Sequence, residues 1–439
     1  MSSLPRHMHL NLFFYPGGHH EAAWRHPTSD PTRVNDISFY QQLARQAEEA
    51  TFDAIFLADS PSLPHDVRYT SRPRIEPLTW LSAIAATTSH IGLIGTASTT
   101  YYEPYNLARL FASLDHLSGG RAGWNIVTTS SASAAANFGL ETHPAHAERY
   151  ARAEEFIEVV SKLWDSWQDD ALLHDKAAGI YADTDRIHPI HHHGHYFDVD
   201  GPLSTPRTPQ GRPVYVQAGS SSEGRRFAAA HAEAIFTAHQ TLASAQQFYR
   251  ETKQLAGTYQ RASPAPLVLP GISPFIAEST HAAQALEEEF NELIQPRYSL
   301  GMLKSELGVE FSLDDLDRPL DIDLLDEQGA LAHASRFQLI ADVIRRERPT
   351  LRQLSQRLAA ARGHRVVAGT PEQVADHLEY WFSQAAADGF NIMPPWLPGG
   401  FELFAHEVIP LLRRRGLFRR EYTGKTLREH YGLTRPTLT

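Results

Sequence analysis

Short apolar segments alternate with helical stretches along almost the whole chain, and this alternation constrains the fold more than any other feature. Eight segments have the composition of β-strands: HLNLFFY (9–15), AIFLAD (54–59), IGLIGTA (91–97), AGWNIVT (122–128), VYVQA (214–218), AIFTA (234–238), LPGISPFIA (269–277) and FNIMPP (390–395). Several are apolar throughout, as strands covered on both faces are. Strands alternating with helices indicate βα units and a parallel sheet, and eight strands predict an α/β fold of the (β/α)8 TIM barrel type rather than an open sheet.

The chain is longer than a plain barrel of about 250 residues requires. Its 439 residues predict one barrel domain, 1–439, with insertions at about 60–76, 165–212 and 279–368. The last insertion lies between the seventh and eighth strands, where a loop can cover the active-site end of a barrel. Its charged surface suits helices docked loosely, with scattered apolar residues at Phe290, Leu293, Leu300, Leu303 and Phe311. A lid over the active site and a helical appendage or subunit interface are equally good interpretations.

The segment PVYVQAGSSSEGRRFAAAH (213–231) is a strand, a Gly-Ser-Ser turn and a helix in immediate succession. A helix N-terminus carries partial positive charge and free N–H groups, so a phosphate is a natural ligand for such a turn. Hydroxyl groups of Ser220 and Ser221 can add donors. An ordinary strand-to-helix turn capped by serine explains the same pattern, and the segment alone leaves both interpretations open.

Composition narrows the classes of protein. The chain has 40 basic and 51 acidic residues and a net charge of −11, which disfavours a nucleic-acid surface. It has no cysteine, its first residues lack an apolar signal core, and no apolar run reaches the length of a membrane span. We therefore expect a soluble, cytoplasmic protein with neither a nucleic-acid nor a membrane partner.

Four segments together identify a family resemblance: FDAIFLADS (52–60), IGLIGTASTTYYEPYNLARLFASLDHLSGGRAGWNIVTT (91–129), NFGLETHPAHAERYARAEEF (137–156) and GPLSTPRTPQGRPVYVQAG (201–219). They resemble the bacterial-luciferase-like flavin-dependent monooxygenases, in particular the group of nitrilotriacetate monooxygenase component A and dibenzothiophene-sulfone monooxygenase. The resemblance implies a two-component enzyme that takes reduced FMN from a separate NAD(P)H-dependent flavin reductase. With molecular oxygen it would oxidise or cleave a C–S or C–N bond of a small organic substrate. A homodimer or homotetramer is expected.

The resemblance also implies site residues. Asp59 and Thr96, at the ends of the second and third strands, would lie near the flavin. His146 and Tyr150 are four residues apart in HAERY, on one helix face, and would contact FMN together with Ser220 and Ser221. His20, in the loop after the first strand, is a candidate acid–base group or hydrogen-bond donor. No Gly-x-Gly-x-x-Gly motif follows a strand, so the electrons are expected to come from elsewhere.

Three other functions stay open from the sequence. The closest is a deazaflavin-dependent oxidoreductase of the same luciferase-like group, which the HAERY and PRTPQG segments disfavour. The histidine-rich segment 188–195 allows a metal-dependent barrel hydrolase by its spacing alone, but no carboxylate pattern supports it, and no metal is expected. A non-enzymatic flavin carrier is the third.

Overall fold

Parallel strands form a closed barrel, as the sequence predicts. The computed structural model describes residues 6–63, 67–71, 75–219, 221–259, 261, 264–320 and 334–438, with the backbone alone at 305–306 and 334–339. The strands are β1 (His9–Phe14), β2 (Ala54–Leu57), β3 (Gly92–Ser98), β4 (Ala122–Val127), β5 (Leu172–Asp175), β6 (Ile180–Ala182), β7 (His192–His193), β8 (Asp198–Val199), β9 (Val214–Gln217), β10 (Ala234–Thr237), β11 (Leu267–Ile276), β12 (Arg365–Gly369) and β13 (Gly389–Ile392). Eight described strands close the barrel in the order β1-β2-β3-β4-β9-β10-β11-β13, and β13 pairs again with β1.

Helices follow most of the barrel strands and cover the outside of the sheet. The described helices are α1 (Ile37–Glu49), α2 (Pro77–Ala85), α3 (Pro104–Ser118), α4 (His146–Trp164), α5 (Ser222–His231), α6 (Leu242–Ala256), α7 (Thr280–Glu292), α8 (Pro296–Leu307), α9 (Ala334–Glu347), α10 (Leu351–Ala361), α11 (Pro371–Ser383), α12 (Gly399–Leu403), α13 (Ile409–Arg414) and α14 (Leu427–His430). No helix of the described residues is long and apolar enough to cross a membrane.

A ninth strand, β12, lies beside the barrel and was not predicted. Strand β11 is ten residues long, and its first half pairs with β10. Its second half pairs with β12, from Ile272 opposite Arg365 to Ile276 opposite Gly369. Because β12 starts level with the middle of β11, it extends the sheet past the rim of the barrel. The end of the long insertion is therefore part of the sheet.

Aromatic and aliphatic side chains fill the inside of the barrel. Phe13, Phe56 and Phe236 pack with ring centroids 4.8–5.5 Å apart. Leu427 and Tyr431, in and just after α14, belong to the same buried cluster. A Cβ added at Gly92 would lie 2.5 Å from Leu427 Cδ1, so glycine is needed where this leucine meets β3. The segment that follows the last barrel strand thus closes the end at which the strands begin.

Helices α7 to α10 form the described part of the 279–368 insertion, and they are packed more tightly than the sequence suggests. Leu303, Leu354 and Leu358 belong to a separate buried cluster within the insertion. Phe290 is fully buried against Phe275 and Trp396. The expectation of loose docking is therefore wrong at Phe290 and Leu303, because the insertion has its own core and also packs against β11.

Candidate functional site

The turn after β9 leads directly into the capped N-terminus of α5. Ser221 is the N-cap residue of α5, and its Oγ accepts a hydrogen bond of 3.1 Å from the N–H of Gly224. The side-chain oxygen of Gln217 accepts one of 2.7 Å from the N–H of Gly219. The first turn of the ten-residue helix therefore points at the end of β9, with its partial positive charge toward the barrel mouth. Ser220 lies outside the described residues.

Tyr150 reaches this turn from the neighbouring helix α4. Its hydroxyl interacts with Ser221 and with Thr128, and burial raises the pKa of Tyr150. A Cβ added at Gly219 would lie 2.8 Å from this hydroxyl, and one added at Gly224 would lie 2.7 Å away. Both glycines let the tyrosine hydroxyl press against the turn. The structure therefore brings Tyr150 and Ser221 together, as the sequence predicted.

His146 lies one helical turn before Tyr150, on the same face of α4. Its ring centroid is 5.0 Å from that of Tyr150. Its Nδ1 is 3.7 Å from an oxygen of Glu223 in the first turn of α5. The histidine is largely exposed, so it stands at the outer side of the cluster. His146, Tyr150 and Ser221 together line one small region at the ends of β4 and β9.

Thr96 is buried at the end of β3, but its hydroxyl is already engaged. Its Oγ1 donates to the carbonyl of Leu57 at 2.7 Å and accepts from Asn125 Nδ2 at 2.8 Å. Asn125 is 3% exposed, and its Oδ1 has no hydrogen-bond partner among the described residues. A buried amide oxygen without a partner is costly, so it marks a position for a donor from a ligand. The sequence pointed to Thr96, whereas the available acceptor belongs to Asn125.

Asp59 follows β2 by two residues and is partly exposed. It acts with Glu76 on Tyr102, whose pKa is raised to about 12 mainly by burial. Asp59 thus stands at the barrel end where the strands terminate, one strand away from Thr96. Its electrostatic effect on Tyr102 places it near that tyrosine.

His20 is buried among aromatic rings beneath α7. Its Nδ1 accepts a bond of 3.2 Å from the N–H of Ala22, so its Nε2–H donates to Asn291 Oδ1 at 3.4 Å. Phe290 lies with its ring centroid 5.3 Å from the imidazole. Burial lowers the pKa of His20 to about 4, so the ring is neutral near pH 7. A neutral histidine fits a hydrogen-bond donor better than a general acid, and its described partner is the insertion.

Tyr101 and His143, which the sequence analysis did not single out, form hydrogen bonds at the same end of the barrel. The Tyr101 hydroxyl donates to His143 Nδ1 at 2.7 Å, and His143 Nε2–H donates to the carbonyl of Thr129 at 3.0 Å. Thr129 has a φ of 47°, which a threonine rarely adopts. These two hydrogen bonds hold the backbone next to Thr128, and so they help to set the position of the Tyr150 hydroxyl.

The chain is similar to known proteins along almost its whole length. Residues 17–389 match the model of the luciferase-like monooxygenases. The chain belongs to the luciferase-like monooxygenase family. N-acetyl-S-(2-succino)cysteine monooxygenase of Bacillus subtilis (strain 168) is 47% identical over 437 residues, which are 99% of each chain. Nitrilotriacetate monooxygenase component A of Aminobacter aminovorans is 47% identical over 444 residues, covering 98% of this chain and 97% of that protein.

A solved relative of this luciferase-like monooxygenase is a riboflavin lyase determined with modified FMN and its substrate riboflavin. It superposes with a TM-score of 0.83 at 32% identity, covering 97% of this chain and 96% of the other. The sequence-based prediction of a flavin-dependent monooxygenase on a (β/α)8 barrel is therefore confirmed. Membership of this family favours a flavin-dependent monooxygenase over a deazaflavin-dependent oxidoreductase, a metal-dependent hydrolase or a flavin carrier.

The histidine-rich segment of this monooxygenase forms a small hairpin, β7–β8. His192 is buried and its Nε2 lies 3.1 Å from Glu155, which also accepts backbone N–H bonds from residues 195–197. His191 and His193 are exposed and pair with Asp200 and Asp198. Within the described part of the chain, no group of three or more His, Cys, Asp or Glu side chains could hold a metal ion. The segment is held by Glu155 as a structural element.

Proposed function

We propose that this chain is the oxygenase component of a two-component system that uses FMN. The observation that supports it most directly is the convergence of Tyr150 and Ser221 on a turn where Gly219 and Gly224 leave no space for a Cβ. A tyrosine hydroxyl, a serine hydroxyl and a helix N-terminus are donors suited to a phosphate. FMN carries such a phosphate and riboflavin does not.

The residues present fit the two polar ends of FMN. Tyr150, Ser221 and the first turn of α5 would hold the phosphate, with His146 at its outer side. Asn125 Oδ1 would accept a hydrogen bond from an N–H of the ring system, while Thr96 fixes the amide through its bond to Asn125 Nδ2. Asp59 and Ser220 stay predictions as further FMN contacts. When bound, reduced FMN supplies the two electrons that, with molecular oxygen, insert one oxygen atom into the substrate and release the other as water.

The protein's own contribution is to position the ring and to exclude water. We infer that α7 and the other described helices of the 279–368 insertion cover the mouth as a lid, because Phe290 and Asn291 of α7 pack onto His20. His20 would act there as a neutral donor. A water-free mouth keeps activated oxygen from escaping as hydrogen peroxide before it meets the substrate.

The electrons would come from a separate NAD(P)H-dependent flavin reductase. The name component A indicates that the nitrilotriacetate relative is one component of a system with more than one. We expect a homodimer or homotetramer and a small substrate oxidised at a C–S or C–N bond. The two relatives named above are called after N-acetyl-S-(2-succino)cysteine and nitrilotriacetate, a thioether and a tertiary amine.

The test uses the purified chain with FMN, oxygen and an unrelated flavin reductase fed with NADH. We expect it to bind reduced FMN and to oxygenate a thioether or amine substrate only when the reductase is present. The reductase alone is the matched control, because it reduces free FMN without oxygenating the substrate. Rapid oxidation of NADH by the chain without any reductase would contradict the proposal.

A further inference from the structure

A cavity of about 450 Å³ lies between the insertion and the rim of the barrel. Its walls come from α7, α9, α10, the loop after β10 and the start of β12. Gln240 fixes the rim: its Nε2 donates to the carbonyls of Gly363 at 2.7 Å and His364 at 3.1 Å. Side-chain to backbone hydrogen bonds thus hold one edge of the cavity in place, and its lining does not include Tyr150 or Ser221.

Three arginines and two glutamates line this cavity, and the charges are not evenly matched. Glu347 pairs with Arg346 at 2.6 Å and also with Arg357, so one carboxylate serves two guanidinium groups. The other acid, Glu287, has its pKa raised by burial and by the nearby Glu288. Its negative charge is therefore more easily lost than that of a surface carboxylate. The wall has a surplus of positive charge.

Arg365 carries most of this surplus. Its Nη1 donates to the carbonyl of Gln240 at 3.1 Å, and its Nε has no hydrogen-bond partner among the described residues. Burial and the like charge of Arg346 lower the pKa of Arg365. Two guanidinium groups that repel each other beside a cavity are stabilised by an anion placed between them.

The cavity also adjoins the inside of the barrel. Asn291 lines it and accepts the hydrogen bond from His20. His364 lines it as well, and its ring stacks on Phe236 of the barrel interior with centroids 4.8 Å apart and planes 7° apart. The cavity therefore shares the side chains of Asn291 and His364 with the wall next to His20 and Phe236.

We propose that this cavity binds a carboxylate group of the substrate, with Arg365 and Arg346 as its cationic partners. The proposal rests on the proposed monooxygenase function and narrows its substrate to carboxylate-bearing thioethers or amines. The guanidinium groups would anchor the carboxylate, and the C–S or C–N bond would lie toward the mouth. Arg365 and Arg346 would then determine specificity without contacting the reacting atoms.

Binding without turnover tests this assignment. Calorimetry of the full chain would measure the affinities of succinate, nitrilotriacetate and N-acetyl-S-(2-succino)cysteine and compare each with the affinity of its methyl ester. We expect at least one acid to bind more tightly than its uncharged ester. Arg365→Gln should weaken that binding roughly 10- to 100-fold, as loss of a charged hydrogen bond does, with a smaller effect of added salt than in the parent.

Arg345→Gln is the matched control, because Arg345 lies next to Arg346 on α9 but pairs with Asp342 at 3.3 Å and does not line the cavity. Melting temperature and FMN affinity of each variant show whether it is folded. Equal binding of acids and esters, or equal binding by the Arg365 and Arg345 variants, would overturn the proposal. Failure of the monooxygenase function would show separately, as absent oxygenation with undisturbed carboxylate binding.

Discussion

At the scale of single residues, the Tyr150 hydroxyl is the atom on which the cofactor site depends. It is held between Thr128 and Ser221, and it lies against Gly219 and Gly224, where any other residue would place a Cβ atom within 2.8 Å of it. Ser221 could be predicted there from the strand–turn–helix segment, which suits a phosphate, and Tyr150 from the family resemblance. The roles of Gly219 and Gly224 could not, since they depend on an approach between α4 and α5.

Ser221→Asp should weaken FMN binding by about tenfold or more while changing riboflavin binding little. Aspartate caps a helix as well as serine does, so α5 should stay folded, but its charge would face the phosphate. Fluorescence titration with the two flavins measures both affinities. Ser221→Thr keeps the hydroxyl and serves as the control. An equal loss for FMN and riboflavin would place the phosphate elsewhere.

Gly224→Ala should lower the affinity for FMN although alanine favours a helix by about 0.5–1 kcal/mol over glycine. The new Cβ would lie 2.7 Å from the Tyr150 hydroxyl and must displace it. In a Tyr150→Phe background the same substitution should cost less, because the hydroxyl is gone and the closest remaining contact is the Gly219 backbone at 3.0 Å. Additive losses in the double variant would mean that Tyr150 and Gly224 act independently.

At the scale of elements, α7 and α10 of the insertion are attached to the loop after β1 by several contacts among the described residues. Phe290 and Asn291 of α7 meet His20, and Arg362, at the end of α10, pairs with the buried Glu21 at 3.0 Å. Arg362 also lies over the ring of Tyr15, 4.0 Å from its centroid. Deleting 279–368 as a whole would also remove most of β12 from the sheet. Substituting one residue that contacts the loop after β1 therefore gives a cleaner test of the lid.

Arg362→Met should make bound FMN more accessible to acrylamide and raise the share of oxygen released as hydrogen peroxide. It removes the cation beside Glu21, at a cost of about 2 kcal/mol or more in stability. Adding Glu21→Gln removes the uncompensated charge. The double variant should regain much of the melting temperature, but its bound FMN should stay accessible to acrylamide. Arg352→Met is the control, since its partner Asp317 is exposed. Unchanged quenching and peroxide yield would identify the insertion as an appendage.

The barrel strands could be predicted because each is a short apolar run that helices cover. Strand β12 was missed because Arg365–Gly369 is only half-buried and starts with a charge, so it lacks that pattern. The hairpins β5–β6 and β7–β8 are two to four residues per strand and largely exposed, so no periodic apolar pattern marks them. Contacts between segments far apart in the chain, such as His20 with Asn291, leave no local signal at all.

At the scale of the whole molecule, buried neutral histidines link stability to pH. Burial lowers the pKa of His20, His239 and His377 to about 4 each. In the unfolded chain they titrate near 6.5, so between pH 6.5 and 4 the unfolded chain binds more protons than the folded one. The stability these groups provide is full above pH 6.5 and is lost as the pH falls through this window.

We therefore expect the free energy of unfolding to fall steadily from pH 6.5 to pH 4.5, by up to about 1.4 kcal/mol per pH unit for each such histidine. His377→Gln should flatten this dependence, because glutamine does not titrate. Chemical denaturation at several pH values measures the slope. His116, which is exposed on α3, gives the control His116→Gln. The same slope in the parent and the His377 variant would mean that folding does not lower the pKa of His377.

The segment that closes the barrel has a consequence for how the protein is made. Leu427 and Tyr431 complete the interior, yet they follow every barrel strand in the sequence, and Tyr431 donates a hydrogen bond of 2.9 Å to Asn11 in the first strand. A ribosome builds a chain from its N-terminus, so β1 to β13 emerge before the side chains that fill their lower end. A nascent barrel therefore has an unfilled apolar base until this segment has left the exit tunnel. Chaperones should bind the chain longest during that last stage of synthesis. A chain truncated before Leu427 by a stop codon should keep the apolar end of its barrel unfilled.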